Sequence, residues 1–126
     1  MYELRADRPN RRVTLTFSGV MDQDPKSFFA ELTGAATFVR GTGNDWDLLV
    51  DFTGMAVMNQ ERAGNTAKIY NWCCENEVRK VACVTQSITQ RMQLTRLTGN
   101  GDIVSCFETQ QDAQAWLNEA RLREAG

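Results

Sequence analysis

Apolar and polar residues alternate near the start of the chain, and this alternation is typical of a β-strand. Val13, Leu15 and Phe17 alternate with threonines and a serine, so we predict a strand with one buried face. Another strand is predicted from Tyr2 to Asp7. Residues 8–11 lie between the two strands and contain a proline followed by an asparagine, which favours a turn. The two strands are therefore predicted to form a hairpin at one side of a sheet.

Four later segments show the 3.6-residue period of amphipathic helices. Their starts carry typical capping residues: an aspartate before Pro25, then Asn59, then a capping box at 87–90, and finally Thr109. The third of these helices runs toward Leu97. The apolar stripes predicted for the other three are, in chain order, Phe28, Leu32, Ala36 and Val39; Ala63, Ala67, Tyr70 and Cys74; and Ala113, Trp116, Leu117 and Ala120.

Short apolar runs at residues 48–50, 81–84 and 103–107 predict three further strands, of which the first two look buried on both faces. Strands then alternate with helices in the order β-β-α-β-α-β-α-β-α. This order predicts an α/β fold with a mixed, mostly parallel sheet of four to five strands and four helices. We expect residues 1–126 to form a single domain.

Charge and composition exclude several classes of function. The chain has 126 residues and a formal net charge of −2, so it offers no basic surface for nucleic acid. No apolar run approaches the ~20 residues that a membrane-spanning helix needs. The first residues lack the apolar stretch of a signal peptide, so we expect a cytoplasmic protein without membrane insertion.

Residues suited to catalysis or metal binding are few. Histidine is absent, which excludes zinc sites and acid–base devices that use it. Cys73, Cys74, Cys83 and Cys106 show no CxxC spacing, and we interpret them as small apolar residues of the core. The adjacent pair at 73 and 74 leaves a redox-active role open. We therefore expect no enzyme, no metal and no cofactor.

Three stretches of the sequence together resemble the STAS domain, which is found in sulfate transporters and bacterial anti-sigma-factor antagonists. Residues 17–22 resemble the strand-ending Gly-x-Leu-Asp of that family. Residues 49–58 resemble its strand and loop before the switch helix, and residues 87–117 follow its closing helix-strand-helix pattern. The resemblance implies a bacterial regulatory module that binds a protein, such as an anti-sigma kinase or a scaffold component. It leaves a homodimer open.

The switch position of that family departs from its pattern in this chain. The family carries approximately Met-Asp-Ser-Ser-Gly-Leu, which aligns here with Met58 followed by Asn59, Gln60, Glu61 and Arg62. None of the last four side chains has a hydroxyl, so the resemblance implies a member that lacks the phosphoacceptor serine. One interpretation of Glu61 is a permanent negative charge that takes the place of the phosphate near the helix start. The other is an ordinary acid in the first turn that only stabilises its own helix.

Other candidate binding residues follow from position alone. Asp22 and Asp51 end predicted strands, where they cap turns, bind a partner or form an acid–base pair. Thr53 is a nearby hydroxyl and the best local substitute for a phosphate acceptor. Trp72 is predicted to point away from the apolar stripe of its helix, with Ile69 beside it. It is therefore a candidate binding hot spot, unless it lies under the loop that follows.

An alternative function is the binding of a small apolar or anionic ligand, which a related STAS-like group similar to Sec14 domains would imply. Methionine accommodates irregular ligand shapes, so methionines and phenylalanines are the residues predicted to line such a pocket. Ordinary core packing is the competing interpretation of the same residues. They are Met55, Met58, Met92, Phe28 and Phe29.

Overall fold

The computed structural model describes residues 2–18, 25–41, 45–54, 60–98 and 103–125. Within these ranges the order of strands and helices is the predicted one. The elements are β1 (Tyr2–Asp7), β2 (Arg12–Ser18), α1 (Pro25–Arg40), β3 (Trp46–Gly54), α2 (Gln60–Glu75), β4 (Val78–Val84), α3 (Ile88–Thr98), β5 (Val104–Phe107) and α4 (Gln110–Ala125).

One mixed sheet has the strand order β1-β2-β3-β4-β5. β1 pairs with β2 in antiparallel register, from Tyr2 opposite Phe17 to Asp7 opposite Arg12. β2, β3, β4 and β5 are mutually parallel, so their carboxyl ends share one edge of the sheet. The hairpin turn at 8–11 is closed by the amide of Arg11, which donates to the carbonyl of Arg8 at 3.0 Å.

Helices cover both faces of the sheet. The larger core cluster joins Leu15 and Val50 of the sheet to Leu32 of α1, Cys73 of α2 and Leu94 of α3. The smaller cluster lies on the opposite face and joins three strand residues to α4; its members are Leu49, Ala82, Val84, Ala113 and Leu117. Because side chains alternate along a strand, β3 is buried on both faces, as its unbroken apolar run predicts.

Local sequence signals set the starts of three helices. Pro25 is the first residue of α1, where its missing N–H costs no hydrogen bond. The hydroxyl of Ser87 accepts from the amide of Gln90 at 3.2 Å before α3, and that of Thr109 accepts from the amide of Asp112 at 3.1 Å before α4. These caps are the predicted ones. The last strand begins at Val104, one residue later than predicted.

The predicted orientation of α2 is wrong in part, although Tyr70 of the predicted stripe packs against the larger core cluster. Cys73 is fully buried, whereas Cys74, which was assigned to the buried stripe, is exposed. Ile69 and Trp72, which were assigned to the outer face, pack against the larger core cluster. Two of the four residues of the predicted stripe are alanines, and turning the helix toward its larger side chains removes more apolar area from water.

Candidate functional site

The junction between β3 and α2 forms the candidate site. β3 ends at Gly54, and α2 begins at Gln60, directly after the predicted capping residue Asn59. The first amides of a helix have no intrahelical acceptor and carry partial positive charge, so this start can hold an anion or an acceptor group of a partner. Asp22 and Asn59 lie outside the described residues, as do the side chains of Gln60, Glu61 and Arg62.

Asp51 is a turn cap, as one of the three sequence interpretations expected. One carboxylate oxygen accepts from the Thr53 amide at 2.8 Å and from the Thr53 hydroxyl at 2.6 Å. The other accepts from Nε2 of Gln110 at 2.7 Å. Thr53 itself is exposed, and its hydroxyl hydrogen points at Asp51. The carboxylate thus fixes the exit of β3 and ties it to the first residue of α4.

These hydrogen bonds decide the ionisation of Asp51. Burial alone would raise the pKa of its carboxyl. The bonds from the hydroxyl and amide of Thr53 and from Gln110 outweigh burial, so the pKa lies below its ordinary value. All of these donors are neutral groups. Hydrogen bonds from neutral groups are therefore enough to keep Asp51 ionised at neutral pH.

Gln90 is a second link between the junction and the rest of the fold. Its side-chain amide donates to the carbonyl of Phe52 at 3.1 Å, and its side-chain oxygen accepts from the amide of Gln86 at 2.8 Å. The sequence marks Gln90 as a member of a capping box. It does not show that the side chain reaches β3. Gln110 was missed for the same reason, because its contact depends on how α4 docks.

Trp72 does not present its indole to solvent as a separate patch. Its ring packs edge-on against Phe29 of α1 with centroids 5.4 Å apart, and lies 6.3 Å from the ring of Trp46 in β3. The backbone carbonyl of Trp72 also accepts from the side-chain amide of Asn76 at 2.8 Å. The half-buried ring therefore joins two helices and the sheet, which corrects the expectation of an outward-facing aromatic.

Asp47 occupies the opposite end of β3 and was not singled out from the sequence. Its side chain is 0% exposed and is surrounded by three arginines. The shortest distances from the carboxylate oxygens to Nη2 atoms are 2.8 Å for Arg79, 3.2 Å for Arg121 and 3.7 Å for Arg12. Nη2 of Arg12 also donates to Oδ1 of Asn118 at 2.7 Å. This cluster joins β2, β3 and β4 to the later turns of α4.

The four cysteines are free thiols in different surroundings. Burial raises the pKa of Cys73 to about 12, so this thiol is poorly suited to redox chemistry with its exposed neighbour Cys74. Cys83 and Cys106 lie opposite each other on β4 and β5. A hydrogen bond from Cys83 lowers the pKa of Cys106 to about 7, and the same bond with burial raises that of Cys83.

Of the residues predicted to line an apolar pocket, the three that the structure describes have different surroundings. Phe28 is buried in the core, Phe29 packs on Trp72, and Met92 is 51% exposed on α3. Met55 and Met58 lie outside the described residues. Within the described ranges no group of three or more cysteine, aspartate or glutamate residues could hold a metal ion. Of the helices described, none has the length and apolar character needed to cross a bilayer.

The fold resembles solved structures. A serine-to-glutamate variant of RsbS from Moorella thermoacetica has a TM-score of 0.70 at 16% identity, over 94% of this chain and 97% of that chain. The protein TM1081, solved by NMR, has a TM-score of 0.60 at 12% identity, over 94% and 89%. No model of a known protein family and no curated protein matches the sequence. RsbS is a STAS-domain anti-sigma-factor antagonist, and the resemblance noted in the sequence is confirmed at the level of fold: this chain has the fold of a STAS domain.

Proposed function

We propose that residues 1–126 act as one cytoplasmic, non-catalytic domain that regulates another protein by binding it, in the manner of an anti-sigma-factor antagonist. The observation that carries this proposal is the start of α2 at Gln60, shortly after the central strand β3 ends at Gly54. A helix start at the carboxyl edge of a parallel sheet is a common place for recognition. The similarity to RsbS supports the same class of function.

The proposed docking surface consists of the exit of β3 and the first turn of α2. Thr53 is its exposed described member, and Asp51 holds the Thr53 backbone in place. The remaining proposed members are Asp22, Asn59, Gln60, Glu61 and Arg62. Trp72 is left out, because its ring is used to pack α2 against α1 and β3.

We further propose that this surface does not switch by phosphorylation. No hydroxyl-bearing side chain occurs at residues 59–62, so a serine kinase finds no acceptor in the first turn of α2. Glu61 instead provides one permanent negative charge there, against nearly two on a phosphate. The serine-to-glutamate variant of RsbS has a similar fold, which supports the compatibility of a glutamate with this architecture.

Phosphate mapping tests the non-switching part of the proposal. The protein is incubated with ATP and the anti-sigma serine kinase of the same organism, and modified peptides are identified by mass spectrometry. We expect no phosphate on residues 53–66 of the wild type, and phosphate on Glu61→Ser. The matched control Glu75→Ser places the same change at the other end of α2 and should stay unmodified. Stoichiometric phosphate on wild-type residues 53–66 contradicts the proposal.

Affinity measurements test the docking surface itself. With the same kinase, we expect Glu61→Gln to bind at least about threefold more tightly, because the STAS resemblance implies that negative charge at this spot repels the kinase. Glu75→Gln has the same change of charge on the exposed last turn of α2 and should stay within about twofold of wild type. Equal affinities for the wild type and both variants would show that Glu61 is not part of the docking surface. Absence of kinase binding at all would overturn the proposed function.

A further inference from the structure

β1 is an edge strand that is open to pairing. Its inner side pairs with β2 along all six residues without a bulge. Among the described residues no strand lies on its outer side. An edge of this kind presents a row of backbone donors and acceptors to any extended chain that fits it. β5, at the other edge of the sheet, has only four residues.

The charge pattern of β1 fits a second copy of itself. Two antiparallel copies related by a two-fold axis normal to the sheet keep their faces, so only residues of equal parity can lie opposite each other. Centring the pair on Leu4 places Glu3 of each copy opposite Arg5 of the other. It also places Tyr2 opposite Ala6, which lie on the face that carries α1. Both ionic contacts in this register join opposite charges.

The neighbouring registers do not have this property. Centring on Glu3 places two glutamates opposite each other. Centring on Arg5 places two arginines opposite each other and Glu3 opposite Asp7. Like charges directly across a strand pair are destabilising, so the sequence of β1 selects one register among the three. This selection does not depend on which residues of β1 direct their backbone groups outward.

The side chains concerned are available in the single copy. Glu3 and Arg5 are 62% and 77% exposed and form an ion pair of 2.8 Å with each other. In the Leu4-centred register, this pair and its symmetry mate become a ring of four charges that alternate in sign. Glu3 and Arg5 lie on the side of the sheet opposite α1. The core cluster of α4 on that side does not extend to the hairpin, so no charge has to be buried to form the ring.

The opposite face of the same edge has space and apolar surface. An open depression of about 540 Å³ lies between β1 and α1, lined by Tyr2, Leu4, Glu31, Gly34 and Ala35. A side chain built on Gly34 would meet nothing within 4 Å. Phe38, one turn farther along the same side of α1, is 53% exposed. A two-fold axis at Leu4 brings the two depressions together on one face, where the copies can cover each other.

We propose that this protein forms a symmetric dimer in which the β1 strands pair in antiparallel register about Leu4 and join two five-stranded sheets into one. The interface uses β1 and α1 and leaves the start of α2 unoccupied in both copies. The dimer would therefore present two copies of the docking surface to a partner. The proposal does not rest on the identity of that partner, and kinase binding can fail while dimerisation holds.

A charge exchange tests the interface and its register. The mass of the full-length wild type is measured by sedimentation from about 5 to about 200 μM, because the dimer fraction depends on protomer concentration. We expect a dimer for the wild type and a dissociation constant at least about tenfold higher for Glu3→Arg and for Arg5→Glu, which each create two like-charged contacts. Carrying both substitutions in one chain restores opposite charges and should restore the dimer.

Controls separate loss of pairing from loss of fold. Arg96→Glu makes the same charge change on the exposed surface of α3 and should leave the dimer unchanged. Circular dichroism of every variant checks that the monomeric species are folded. A wild type that stays monomeric at about 200 μM overturns the proposal, because pairing would then be too weak to matter in solution. A dimer that is insensitive to Glu3→Arg, or a double variant that stays monomeric, overturns the β1 register.

Discussion

Two aspartates on the same face of β3 hold the two ends of α4 by different means. Asp51 accepts hydrogen bonds from neutral groups, one of them on Gln110, the first residue of α4. Asp47 lies four positions earlier and is surrounded by three guanidinium groups, one of them on Arg121 in a later turn of α4. α4 thus runs antiparallel to β3 and is held to it by ion pairs at one end and by the side-chain amide of Gln110 at the other.

The difference bears on where the domain can adjust. A fully buried carboxylate with charged partners is strongly coupled to them, because removing one side leaves the others buried without compensation. A carboxylate satisfied by neutral donors loses less when one donor is removed. α4 is therefore held less strongly at the carboxyl edge of the sheet, which carries the proposed docking surface. The opposite edge, around Asp47, serves stability.

The largest effect is expected at Asp47. Asp47→Asn leaves Arg12, Arg79 and Arg121 without their common carboxylate and should lower the free energy of unfolding by about 3–5 kcal/mol. Denaturant unfolding followed by circular dichroism measures the loss. The matched control is Asp45→Asn, because Asp45 is half-exposed and pairs with Arg11 and Arg121 at the surface, where the expected change is about 0–1 kcal/mol. Equal losses of unfolding free energy at positions 45 and 47 would contradict a special stabilising role of the buried Asp47.

Packing of Trp72 holds the amino end of β3 from the other face of the sheet. Trp72→Ala removes the contacts with Phe29 and Trp46 and should lower the free energy of unfolding by about 2–3 kcal/mol, less than a fully buried tryptophan would. Trp72→Phe keeps an aromatic ring and should recover more than half of the loss. A Trp72→Ala variant of unchanged stability and reduced partner affinity would restore the sequence-based interpretation of a binding hot spot.

The sequence predicted the elements well, because local patterns determine them. The alternation in β2, the caps of α3 and α4, and the apolar stripe of α1 each follow from residues a few positions apart. The predicted orientation of α2 was wrong in part, because Ala63 and Ala67 fit a buried stripe with Tyr70 by period alone. Period does not weigh side-chain size, and burial of Trp72 and Ile69 decides how the helix rotates.

The candidate site was predictable only in part. The helix start after β3 and the capping role of Asp51 follow from strand ends and turn chemistry in the sequence. The partners of Asp51 and Asp47 do not, because Gln110 is 59 residues from Asp51 and Arg79 is 32 residues from Asp47. Such contacts depend on strand pairing and on the docking of α4, and a single sequence shows neither.

A smaller effect, with a distinct dependence on pH, is expected at Asp51. Asp51→Asn replaces one acceptor oxygen by an amide that faces donors, and should cost about 1–3 kcal/mol at pH 7. The folded state lowers the pKa of Asp51, so this contribution is present above the unfolded pKa of about 3.9 and is lost as pH falls through the folded value. The urea midpoints of wild type and variant should therefore converge below about pH 4. A constant difference from pH 7 to pH 2 would show that the charge is not involved.

The smallest effect is expected at Gln110, which supplies only one of the three donors to Asp51. Gln110→Ala should cost about 1 kcal/mol, since Thr53 continues to satisfy the other carboxylate oxygen. Gln111→Ala is the matched control, because this neighbour has the same side chain on an exposed position of the same turn and should change stability by less than about 0.5 kcal/mol. If both variants unfold like the wild type, the first residue of α4 does not fasten the carboxyl end of β3. Asp47 and its arginines then remain as the polar attachment between α4 and this strand.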